Sequence, residues 1–285
     1  MIYHYGKPGK QDWVHVADVF ATHESLNSKK TSSLPLVQFW QNGDGFQDRV
    51  NDLQSKLGDI GIMTSKSMLC FEYGVSVPKG FGRGKASMTD LMIITPDHVI
   101  AIEAKYTEYL KSKYEPLCKW LKDSKNNGFN ENKLKVLAGW LKYIQDFGGI
   151  DILPKDDVQS FVEDFTKKGE TQNIPYQLIH RIASACAVAK ERACENAVVI
   201  YQLFNDSDGE MEKKRDAVSK KLQEAVQVLG IKDTIKFYVV GVETKYERGD
   251  DKPERLNDLF LEMQEKTVYS FGPTILLWSN QTCDI

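Results

Sequence analysis

The sequence predicts an α/β fold built on a mixed central sheet. Three observations carry this. Met68–Val77 alternates apolar and polar side chains in the manner of a strand. Two apolar runs, 89–95 and 98–105, flank Pro96-Asp97, so these three strands can be antiparallel neighbours through short connections. A long, lysine-rich helical stretch then leads to a further apolar run, Ala197–Phe204, and a crossover of that length suits a parallel pairing.

The elements follow in order. Residues 1–40 carry no clear periodicity and include a polar loop at Asn27–Ser33. Phe46, Val50, Leu53 and Leu57 fall on one helix face, and Gly58 ends it. In Met68–Val77, the residues Leu69, Phe71, Tyr73, Val75 and Val77 share one face, with Cys70, Glu72, Gly74 and Ser76 on the other. PKGFGRGK is a glycine-rich basic loop. A helical region is expected over 107–147, with a distinct amphipathic helix at Asn132–Phe147, then loop with some helix over 148–175 and a helix at Tyr176–Ala193. Beyond the strand Ala197–Phe204 come an exposed helix at 210–229, a strand at Thr234–Val242, a short helix near 254–265 and a last strand near Thr274–Trp278. No repeat or interdomain linker interrupts the pattern, so 1–285 is read as a single domain.

With 285 residues, 41% hydrophobic and 27% charged, the chain has the composition of a globular protein with a sizeable core. A net charge of −3 gives no global pull toward nucleic acid, so any such contact must come from a local basic surface. The five cysteines are widely spaced, odd in number and free of C-x-x-C, which argues against a disulfide framework or zinc site and for a reducing compartment. No apolar run reaches the roughly 18 residues that span a bilayer. MIYHYGKPGKQDW lacks the apolar stretch of a signal peptide. A cytoplasmic location with no membrane partner is expected.

The two apolar runs carry charge at their outer ends, where charge is costly unless it is compensated. Taking Pro96-Asp97 as a two-residue turn pairs 95 with 98, 92 with 101, and 90 with 103. Asp90 then faces Glu103, and Lys105 shares their side of the sheet while Ala104 points away. Two facing carboxylates resist joint ionisation. Lys105 relieves part of that repulsion, and a hard cation such as Mg²⁺ would relieve more, since it favours one or two carboxylates plus water and phosphate oxygens. Such a set suits phosphodiester hydrolysis. A structural Asp–Lys–Glu cluster is the competing reading, because acid-x-Lys also occurs at Asp123, Glu131, Glu212, Glu243 and Asp250. None of those has an upstream hairpin partner that brings an Asp opposite.

Asp90, twelve intervening residues and Glu103-Ala104-Lys105 resemble the signature of the PD-(D/E)XK nuclease superfamily, the restriction endonuclease-like group. The order of elements over about 45–205 is similar to its αβββαβ core, with a helical, lysine-rich insertion at about 107–170 and additions at both ends. Thr89 stands where the superfamily's name has proline, a frequent departure. The resemblance implies Asp90, Glu103 and the Ala104 backbone carbonyl as metal ligands, Lys105 as the catalytic lysine, and Mg²⁺-dependent cleavage of nucleic acid, with Mn²⁺ as a possible substitute. DNA is the expected substrate. Some members bind without cutting, and a nuclease-like domain that recognises nucleic acid or a protein partner is the alternative. A homodimer would help to cut both strands, although no dimerisation signal is visible.

Further candidates surround this set. The crossover helix should begin near the carboxyl end of the Lys105 strand, and similar enzymes often carry a glutamine there, so Gln177 is a candidate catalytic residue or simply a helix cap. His180 and Arg181 lie one turn on, with Ser184, as phosphate contacts or a solvated face. Glu72 is a third carboxylate beside Asp90 or an exposed acid, and Asp48 and Asp52 are weaker candidates for that role. Gly80-Phe-Gly-Arg-Gly-Lys85 fails as a P-loop, having one residue too few and Ala86 in place of the hydroxyl residue. Its Arg83 and Lys85 can contact a nucleic-acid backbone or form a flexible turn. The lysines of 105–142, interleaved with Tyr106, Trp120 and Trp140, suit either a duplex-contacting surface or a helix pair with an aromatic core and a basic outer face.

Overall fold

A computed structural model describes residues 2–8, 32–58, 60–62, 66–106, 115–123, 128–150, 158–206, 209–248, 256–263 and 266–281. Seven strands form one sheet, ordered as in the sequence: β1 (Ile2–Tyr5), β2 (Met68–Val75), β3 (Ser87–Ile94), β4 (His98–Lys105), β5 (Asn196–Asn205), β6 (Ile235–Tyr246) and β7 (Tyr269–Ser279). The sheet is mixed. β2, β3 and β4 are antiparallel neighbours and β4–β5–β6 are parallel, while β1 joins β2 in parallel and β7 joins β6 antiparallel.

Helices cover both faces. One layer holds α3 (Leu117–Leu121), α4 (Glu131–Asp146), α5 (Val158–Lys167), α6 (Tyr176–Glu191) and α7 (Gly209–Leu229). The other holds α1 (Ser33–Trp40), α2 (Phe46–Leu57) and α8 (Leu256–Glu262). The core accordingly divides in two. Met92, Ile94, Val99 and Ala101 pack with Leu137, Ile179 and Leu222, whereas Leu91, Ile93, Ile100 and Ile102 pack with Val37, Val50 and Leu259. A strand buried on both faces explains why 89–105 reads as nearly continuous apolar sequence.

The hairpin forms in the expected register. Leu91, Met92, Ile93 and Ile94 pair with Ile102, Ala101, Ile100 and Val99. Thr95 secures the turn: its Oγ1 accepts from the backbone N–H of Asp97 at 3.3 Å and of His98 at 2.9 Å. The helices expected at 46–57, 132–147, 176–193 and 210–229 are present with ends shifted by at most two residues.

The helix at 158–167 falls within the stretch expected to be loop with some helix. Two expectations are corrected. β1 and α1 lie in the segment where periodicity gave no element, and the additions at both ends contribute β1, β6 and β7 to the one sheet. The single apolar face of β2 does not hold: Leu69 and Phe71 pack in one layer, Tyr73 and Val75 in the other. The side-chain alternation breaks at Glu72, whose φ of 50° is in the left-handed region. A non-glycine residue there costs about 1–2 kcal/mol.

The aromatics of the lysine-rich segment serve packing. Trp120 stacks on Tyr176 at 3.6 Å, and buried Trp140 donates its indole N–H to the Tyr176 hydroxyl at 3.0 Å. Lys135 and Lys142 pair with Glu131 and Asp146 on the outer face. Residues 107–114 and 124–127 of that segment lie outside the described residues. Among the described residues, Cys70, Cys118, Cys186 and Cys194 are free thiols, and no helix is long and apolar enough to cross a membrane.

Candidate active site

The hairpin ladder ends at Leu91–Ile102. One step beyond, where the same register sets Asp90 against Glu103, the Asp90 side chain takes over the pairing: its Oδ2 accepts the Ala104 N–H at 2.8 Å. In a strand, the N–H and C=O of one residue point toward the same neighbour. The Ala104 carbonyl therefore also faces the β3 side, just past the last pair of the ladder. The strand pairing thus opens where the chemistry-bearing residues collect.

Glu103 is the centre of the cluster and has no exposed surface. Its Oε1 receives the Lys105 ammonium and the Gln177 side-chain amide, and its Oε2 pairs with the Arg181 guanidinium. Gln177 and Arg181 are four residues apart on α6, so both project from one side of that helix. Pro175 occupies the N-cap position of α6, and Gln177 reaches the site instead of capping. Arg181 also donates from Nη1 to Thr89 Oγ1 at 2.7 Å.

The site is electrostatically divided. Burial pushes the Glu103 carboxyl up, but the Arg181 and Lys105 charges outweigh it, so Glu103 stays below the usual carboxylate range. Asp90 goes the other way, pushed up to about 8 by burial first and then by Glu103. Glu72 lies close enough to feel Arg181, Glu103 and Lys105, and burial raises its carboxyl above the ordinary value. Among the described residues, Glu72 makes no hydrogen bond or ion pair and Asp90 uses only Oδ2, so both carboxylates keep open lone pairs next to Glu103.

These residues fit a hard ion held by one or two carboxylates, a backbone carbonyl and water. They do not make a protein cage: among the described residues, no three His, Cys, Asp or Glu side chains are close enough to hold a metal by themselves.

Several candidates take other roles or lie elsewhere. Arg181 is turned inward with its side chain 2% exposed, so it faces Glu103 rather than a phosphate at the surface. His180 is partly buried: its Nδ1 is 2.6 Å from Ser87 Oγ, and its ring packs against Tyr176 and Trp140. Burial, then Arg181 and Lys105, hold this imidazole well below its ordinary value and so neutral. Ser184 donates to the His180 carbonyl at 2.7 Å within α6. Asp48 and Asp52 are on α2, across the sheet from the site, and Asp52 Oδ2 accepts the Thr274 N–H. Arg83 and Lys85 are exposed on a loop tied to α4, where the Arg83 N–H donates to Asn132 Oδ1 at 2.8 Å and Asn132 Nδ2 donates to the Arg83 carbonyl at 2.7 Å.

Sequence reasoning missed the Arg181–Glu103 pair and the Thr89 anchor. The signal was available: if Gln177 faces the site, Arg181 one turn later faces it as well.

Residues 9–246 match the family described as Domain of unknown function (DUF6946). The chain belongs to this family. The DUF6946 match spans every residue of the cluster, from Glu72 to Arg181, while β1, α8 and β7 lie outside it. No curated protein and no solved structure matches the chain.

Proposed function

We propose that this protein is a metal-dependent nuclease of the PD-(D/E)XK type that hydrolyses phosphodiester bonds in DNA. The observation that carries the reading is the convergence of Asp90, Glu103 and Lys105 on one sheet face where the β3–β4 ladder opens, with Gln177 bound to Glu103. Asp90, Glu103 and the Ala104 carbonyl would hold Mg²⁺ or Mn²⁺, with Glu72 beside them. The bound ion supplies a polarised phosphoryl group and an activated water. Lys105 is 14% exposed, the most accessible cation of the cluster, and can stabilise charge developing on a phosphoryl oxygen. Gln177 orients the Glu103 carboxylate.

A basic groove supports a polyanionic substrate. Two residues past Glu72, a cavity of about 500 Å³ is lined by Lys7, Lys79 and Lys190 against one acid, Glu191, with Lys190 also paired to Asp146. Together with Arg83 and Lys85 it offers local phosphate neutralisation on a chain whose net charge is −3.

One observation favours the alternative, a nuclease-like domain that binds without cutting. Arg181 and Lys105 together already compensate Glu103. The two readings separate in an assay of plasmid, linear and single-stranded DNA and of RNA with Mg²⁺, Mn²⁺ or EDTA. Metal-dependent cleavage supports the enzyme, and binding without cleavage under every condition supports the alternative.

A further inference from the structure

Arg181 has an environment that a simple structural ion pair does not require. Its side chain is 2% exposed, with Nη2 on Glu103 Oε2 and Nη1 on Thr89 Oγ1, while Nε is buried without a partner among the described residues. Lys105, the other cation on Glu103, is 14% exposed and sits on a flexible stem at the edge of the site. Arg181 is held between two strands by Thr89 and Glu103. Three carboxylates, Glu72, Asp90 and Glu103, thus face two cations, one accessible and one enclosed.

We propose that Arg181 is a positioning residue that sets the site's affinity for divalent cations, with its guanidinium and the ion acting as alternative partners of the Glu103 carboxylate. The inference rests on the metal-site reading given above. In the metal-free protein, Arg181 pairs with Oε2 of the buried Glu103 and holds that carboxylate in place. An ion arriving at Asp90 and Glu103 meets Arg181 as a like charge where water screens poorly, so the guanidinium weakens binding and must share or release Oε2. The unpartnered Nε leaves this resting arrangement incompletely satisfied, which makes release less costly than for a fully bonded guanidinium.

The test measures Mn²⁺ binding by the full chain, from the loss of the free-ion EPR signal, and thermal unfolding with and without Mn²⁺. In Arg181→Gln, the proposal expects roughly ten-fold tighter Mn²⁺ binding than in the wild type. That variant should melt lower without metal and gain more from Mn²⁺ than the wild type does. Arg181→Lys should bring the affinity back toward the wild-type value, and Glu103→Gln/Arg181→Gln should lose the gain. Thr89→Val removes the guanidinium's other anchor without removing its charge, and it should tighten Mn²⁺ binding several-fold. It serves as the reading if Arg181→Gln does not fold.

Equal or weaker binding in Arg181→Gln, or unchanged affinity in Thr89→Val where Arg181→Gln fails, overturns the proposal. If the wild type cleaves DNA with metal at the same time, only this proposal falls. If neither the wild type nor the variants take up Mn²⁺, the metal-site reading falls with it. Uptake by Arg181→Gln alone supports the role of Arg181 and points to a native chain that does not turn over.

Discussion

The Ala104 backbone N–H donates to the Asp90 side chain at 2.8 Å, in place of the next backbone pair of the β3–β4 ladder. One carboxylate therefore closes the hairpin and edges the candidate site. Asp90→Ala leaves a buried N–H without an acceptor, and a loss of about 1–3 kcal/mol is expected. Asp90→Asn keeps an acceptor and needs no bound proton to sit neutral beside Glu103, so it should be as stable as the wild type or more so. Urea denaturation of the two variants checks this, and both should be inactive in cleavage.

The same residue gives the metal-free protein a pH dependence. Asp90 is pushed from 3.8 up to about 8 by burial and by Glu103, so across that interval the folded state holds a proton that the unfolded chain has released. Its contribution to stability is full below the unfolded value and is lost as pH rises through about 8. Denaturation in EDTA at mildly acidic and mildly alkaline pH should show this decline in the wild type and less of it in Asp90→Asn.

Glu103 and Arg181 are each almost fully enclosed, with side chains 1% and 2% exposed. Glu103→Ala leaves the Arg181 charge buried and uncompensated, a change expected to cost about 3–5 kcal/mol. Adding Arg181→Met should recover part of that loss. Equilibrium unfolding of the single and double variants tests the coupling.

The loop bearing Arg83 and Lys85 rests on α4 through close contact. A Cβ at Gly139 would come within 2.8 Å of Phe81 Cβ and 3.1 Å of Pro78 Cδ, with no room for either to yield without moving the loop. Gly139→Ala should therefore lower stability by about 1–3 kcal/mol. Arg83→Ala/Lys85→Ala should leave stability unchanged, weaken DNA binding and lessen its salt dependence, read from fluorescence anisotropy over a salt series.

The site was legible in the sequence to the extent that local rules determine it. The register came from a two-residue turn and the alternation of residues 89–105, and all four pairs of the ladder agree with it. Gln177 was reachable because a crossover helix starts at the carboxyl end of the preceding strand. The break in β2 was not legible, since a left-handed glutamate leaves no mark in apolar periodicity. The inward turn of Arg181 was legible only by way of Gln177 one turn earlier, since a helix face by itself reads the same whether solvent or a carboxylate lies opposite. β1 is four residues long and gains its place from pairing with β2, not from its own pattern.

The most direct test of the central claim is the rate of Mn²⁺- or Mg²⁺-dependent DNA cleavage by the wild type, Glu103→Ala and Lys105→Ala. The account predicts cleavage that requires the metal and falls by about 100-fold or more in each variant. Cleavage that survives both substitutions, or that persists in EDTA, would contradict it.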